Sequence, residues 1–93
     1  MSKESEFYDK LRNSLLETTT FPTQYLYKFI IPTSKEKLKE IENIFNNMGA
    51  VMNSKPSSNG KYTSLSIYVK MDNPDIIIEK YKEVGKIEGV ISL

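Results

Sequence analysis

Apolar residues fall along this chain at two spacings, one helical and one alternating, and the changes between them mark the elements. Phe7, Leu11 and Leu15, with Tyr8 and Leu16 beside them, make one helical stripe over Glu4 to Thr18. Three threonines and Phe21-Pro22 end it, because β-branched residues weaken a helix and the residue before a proline is pushed out of the α region. From Gln24 to Ile31 the pattern alternates, with Tyr25, Tyr27, Phe29 and Ile31 set against Leu26, Lys28 and Ile30, and Pro32 closes the strand. Both of its faces are apolar enough for the middle of a sheet.

Thr33 and Glu36 have the spacing of a capping box, so a helix is predicted to start there. Leu38, Ile41, Ile44, Phe45 and Met48 form its inner stripe, and Gly49 is expected to stop it in the left-handed conformation. Ala50 to Ser54 reads as a short edge strand. Asn59-Gly60 tolerates the positive φ angles of a tight primed turn and predicts a hairpin into the strand from Lys61. There Thr63, Leu65, Ile67 and Val69 share one face, and Tyr62, Ser64, Ser66 and Tyr68 the other. Asn73-Pro74 has the residue types of an N-cap and first helical position, opening a helix that carries Ile77, Tyr81 and Val84 to a stop at Gly85. Lys86 to Leu93 is predicted as a last strand, although Glu88-Gly89 interrupts its alternation.

The order helix, strand, helix, strand, strand, helix, strand gives an α+β fold. Residues 21–93 read as a ferredoxin-like βαββαβ sandwich, a four-stranded antiparallel sheet with two helices on one face and its first and third strands central. Residues 1–20 form an amphipathic helix and connector in front of it. The other sheet face, with Leu26, Lys28 and Ile30 beside Tyr62 and Tyr68, is too apolar to stand bare. The expected cover is the first helix, through Phe7, Leu11 and Leu15, or a second copy of the chain.

Phe21-Pro22, Tyr27-Lys28, the run Pro56-Ser57-Ser58-Asn59-Gly60-Lys61-Tyr62-Thr63-Ser64, then Tyr81, Gly85-Lys86-Ile87 and Val90 stand in an order and spacing that resembles the YbeD-like family of small bacterial proteins of unknown function. The resemblance runs from Phe21 to the end. It implies a ferredoxin-like fold similar to the small regulatory domains of the ACT type, and it implies no activity.

Composition narrows the chemistry. Thirteen basic residues against twelve acidic ones, without a block of like charge, argue against a nucleic-acid binder. The chain has no cysteine and no histidine, which removes thiolate metal sites, a thiol nucleophile, and the commonest metal ligand and general base. With no paired carboxylates either, neither an enzyme nor a metal or cofactor site is expected. No apolar run approaches a bilayer span of about 20 residues, and Met1-Ser2-Lys3-Glu4-Ser5-Glu6 lacks the apolar core of a secretory signal, so a cytoplasmic protein without membrane contact is expected.

The leading expectation is a non-enzymatic regulatory or protein-interaction module, acting as a homodimer or on another protein through Leu26, Ile30 and Tyr68. The alternative is a sensor for a small anionic metabolite, gripped by Lys28, Ser57, Ser58, Gly60, Lys61 and Tyr62, since hydroxyls, turn N–H groups and lysine attract anions. Ordinary turn chemistry explains the same residues, and the spacing of a phosphate-binding Walker loop is absent. Lys28 either contacts a ligand or pairs with an acidic residue of the first helix such as Glu6. Single-stranded nucleic acid stacked on Tyr62 and Tyr68 is the third reading, weakened by the near-neutral charge.

Overall fold

The computed structural model describes residues 3–93. Its elements are α1 (Lys3–Thr18), β1 (Thr23–Pro32), α2 (Lys35–Ile44), β2 (Val51–Pro56), β3 (Tyr62–Met71), α3 (Pro74–Gly85) and β4 (Ile91–Ser92). The four strands form one antiparallel sheet in the order β2-β3-β1-β4, the ferredoxin-like arrangement with β1 and β3 central. Every residue of β1 faces a partner in β3, from Thr23 opposite Met71 to Pro32 opposite Tyr62. That register turns Tyr27, Phe29 and Ile31 to the same side as Leu65, Ile67, Val69 and Met71, and all seven are buried. Ile41 and Phe45 cover them from α2 and its end, and Ile77 and Val84 from α3.

Outside the β2–β3 hairpin, local chemistry departs from the sequence reading at five places. Ser34, one residue after Thr33, caps α2, its hydroxyl accepting from the Lys37 N–H at 3.3 Å. Thr33 is instead tied to the sheet through a hydroxyl pair with Thr63 at 3.0 Å. α2 ends at Ile44, and Phe45 to Gly49 leave it through turns with Asn47 and Gly49 both at positive φ. The inner stripe still packs on the core, because Phe45 and Met48 reach it from those turns. α3 ends at Gly85, but that glycine is the helix's last residue and has no left-handed conformation; Lys86 caps the helix.

The last strand also contracts to Ile91–Ser92, since Ile87 is drawn into the core before the chain reaches the sheet. Gly89 makes that detour. Its φ is +84°, and a Cβ there would stand 2.8 Å from Pro32 Cγ, beside the Lys37 ammonium that donates to the Glu88 carbonyl at 2.7 Å. Gly89→Ala is therefore expected to cost about 1 to 3 kcal/mol, through left-handed strain plus collision with a rigid proline ring, read as a lower urea midpoint.

The fifth departure decides what the sheet exposes. α1 packs along α3, where Arg12 Nε meets Asp75 Oδ1 at 2.7 Å and the Lys82 ammonium lies 5.3 Å from the centre of the Tyr8 ring. It does not cover the open sheet face, and no ion pair joins Glu6 to Lys28 among the described residues. Phe7 and Leu16 stay exposed, while Leu15 reaches the edge of the core.

Candidate interaction surface

Directly opposed residues of antiparallel strands share a face, so the register lays out the uncovered side of the sheet level by level. Gln24 stands beside Lys70. The next level sets Leu26, Tyr68 and Val51 side by side, and the one after it Lys28, Ser66 and Asn53. A fourth level carries Ile30 between Ile91 and Ser64, with Lys55 beyond, and a fifth pairs Pro32 with Tyr62. Leu26, Tyr68, Val51 and Ile91 are exposed at 37, 38, 57 and 53%. The face is thus an apolar row, a polar row and a second apolar patch.

Its charge is of one sign. Lys28, Lys55 and Lys70 all point to this side, and the strands contain no aspartate or glutamate. Asp72 follows β3 beyond the last rung of the ladder. Three strand lysines against a chain total of +1 leave the helices and loops net negative. Lys28 is exposed, so the puzzle of a charge on an apolar strand is resolved by solvent.

Of the residues expected to hold an anion, Ser57, Ser58, Gly60, Lys61 and Tyr62 stay together at the hairpin end, and Lys28 is set apart from them. Lys28 lies opposite Ser66, four positions along β3 from Tyr62, a separation of about 13 Å. The hairpin connection is a five-residue loop, Ser57 to Lys61, in place of the tight Asn59-Gly60 turn. Gly60 alone has a positive φ there, +74°, and its N–H donates to the Ser57 carbonyl at 2.9 Å. Asn59 Oδ1 accepts from the Ser57 hydroxyl and the Lys61 N–H, while Ser57 Oγ accepts from the Tyr62 N–H. With the Ser57 N–H bound to the Tyr62 carbonyl, the Ser57 hydroxyl and the N–H groups of Ser57, Gly60 and Lys61 are spent on the hairpin itself.

Among the described residues, the helix side includes two concavities that the sequence did not disclose. One, of about 370 Å³, lies between α1, α3 and the C-terminal end, lined by Phe7, Leu11, Tyr25 and Tyr81 among others. The Tyr25 and Tyr81 hydroxyls pair at 2.8 Å beside it. The other, of about 290 Å³, sits where α2 turns into β2. Burial pushes the Tyr81 phenol well above its ordinary range, with its hydrogen bond to Tyr25 adding to the shift. Tyr27 is shifted the same way, chiefly by burial, and its hydroxyl donates to the Ile77 carbonyl at 2.9 Å.

Val51, Asn53, Lys55 and Ile91 join the open face without having been singled out from sequence. The first three were legible in principle, because pairing the edge strand against Tyr62 to Tyr68 fixes which of its residues share that side. No helix of the described residues is long and apolar enough to cross a membrane, and these residues hold no group of three or more acidic side chains that could bind a metal ion.

Among solved structures, the chain is similar to protein HP0495 from H. pylori, determined in solution, with a TM-score of 0.67 at 22% identity over 82% of this chain and 86% of that one. This likeness shows the fold. A search of curated proteins found no match. Residues 17–93 match the family described as "Protein of unknown function (DUF493)", in line with the YbeD-like resemblance, and the chain belongs to that family.

Proposed function

We propose that the protein is a non-enzymatic interaction module whose uncovered sheet face receives a partner. One observation carries this reading: Leu26, Val51, Tyr68 and Ile91 stand exposed on a face that neither α1 nor the core helices cover. Apolar area of this kind on a folded domain favours removal from water on contact. The absence of histidine and cysteine from the sequence supports the non-enzymatic part. The anion-sensor reading is weakened by a loop in which the Ser57 hydroxyl and the Ser57, Gly60 and Lys61 N–H groups are already engaged and from which Lys28 lies apart.

A photoreactive residue substituted for Tyr68, compared with one at the exposed Glu40 of α2, tests the proposal in cell extract. Saturable adducts from position 68 alone, competed by the unmodified chain, are expected. Equal labelling from both positions would sink it.

A further inference from the structure

Deepening that reading, we infer that the partner presents an acidic amphipathic helix, laid along β1 and β3 with its apolar stripe on the two apolar patches and its carboxylates on Lys28, Lys55 and Lys70. Charge complementarity is the first argument. Three lysines on one face with no acidic strand residue among them repel a like surface and attract a negative one. They also disfavour a second copy, because a symmetric sheet-to-sheet pairing would bring these lysines toward one another.

Spacing is the second argument. Leu26 and Ile30 lie four residues apart on β1, about 13 Å, which a helix matches with apolar residues seven or eight positions apart. The row Val51, Tyr68, Leu26 spans two gaps between strands, about 10 Å, the width of one helix. Lys28 sits between the patches, where an acidic side chain at the flank of that stripe would reach it.

The chemistry of the patches separates this partner from single-stranded nucleic acid. Tyr62 and Tyr68 are six residues apart on β3, about 20 Å, too far to hold adjacent bases, and β1 offers leucine, lysine and isoleucine where a stacking platform needs a ring. Aliphatic side chains suit aliphatic ones.

The test is a display selection with a library of helical peptides of about 20 residues against the full chain, counter-selected on the Lys28→Glu, Lys70→Glu double variant. Both lysines are exposed, and circular dichroism checks that the variant folds. Enriched peptides should be acidic, carry apolar residues seven or eight positions apart, and bind the variant at least about tenfold more weakly. Their binding should weaken with added salt and shift the amide signals of Leu26 to Ile30 and Ser64 to Tyr68. Neutral or basic winners, or equal binding to the double variant, would overturn the inference. So would stronger engagement of those amides by oligouridylate, by phosphatidylglycerol vesicles or by a second copy of the chain. A face-specific adduct from position 68 whose partner lacks an acidic helix removes this inference and leaves the docking surface standing; no face-specific adduct removes both.

Discussion

Tyr27→Ala is expected to lower the free energy of unfolding by about 3 to 5 kcal/mol, the range for emptying a buried aromatic position. Tyr27 is fully buried, and its ring lies 4.7 Å from Tyr81, 4.8 Å from Tyr25, 5.1 Å from Phe45 and 5.7 Å from Phe29, centre to centre. Those rings come from the first strand, the end of α2 and α3, so one side chain joins three elements around the core. The hydroxyl adds a bond to the Ile77 carbonyl inside α3. Tyr27→Phe keeps the ring and loses that bond, and should cost about 1 kcal/mol. Urea unfolding followed by circular dichroism separates the two; equal losses for both variants would show that the ring cluster contributes little.

Alkali is the second route to a large effect. The folded-state pKa values of Tyr27 and Tyr81 are raised above the ordinary value of 10.0, mainly by burial. Below 10.0 both phenols are neutral in folded and unfolded chains alike, and their contribution to stability is fully present. Above it the unfolded chain releases these protons while the folded chain retains them, so the unfolded state binds fewer protons and stability falls as pH rises. Tyr27 alone imposes a slope of about 1.4 kcal/mol per pH unit, and the half-buried Tyr81 adds a part of that. Urea midpoints measured from neutral pH to beyond pH 10.0 should drop steeply, with tyrosinate absorbance rising together with loss of helix. Tyr27→Phe should make the drop shallower. An unchanged slope in that variant would show that Tyr27 does not drive the alkaline loss.

The fold was legible because its long strands and both core helices are written in period and caps. Tyr25 to Ile31 and Thr63 to Val69 alternate cleanly, and Asn73-Pro74 marks the start of α3, with the Asn73 side chain accepting from the Ile76 N–H. What escaped depended on contacts distant in sequence. Gly85 carries the sequence sign of a helix stop, yet the positive φ falls on Gly89, where Pro32 leaves room only for hydrogen. Ser34 and Thr33 are equally good caps on paper; Thr63, thirty residues on, engages Thr33.

The open face was foreseen from β1 and β3, down to Leu26, Lys28, Ile30 and Tyr68. Its cover was not, because an amphipathic stripe states that α1 must dock without stating where. Tyr8 facing Lys82 and Arg12 facing Asp75 settle that on α3. The loop from Ser57 to Lys61 was ambiguous for a different reason: residue types that attract phosphate are also the ones that close a five-residue loop on itself.

The unbroken ladder between β1 and β3 has a consequence for how the sheet face would work. Amide protons in a fully paired central ladder exchange through openings near the global unfolding free energy, whereas a two-residue edge strand such as β4 opens locally at far lower cost. Lys28 and Tyr68 therefore sit on strands held by that ladder through neighbours such as Tyr27 and Ile67, while the Lys28 carbonyl itself accepts from the Leu93 N–H on the β4 side. A partner meeting them finds a receptor already ordered, and the conformational entropy lost on association falls almost wholly on the partner's side.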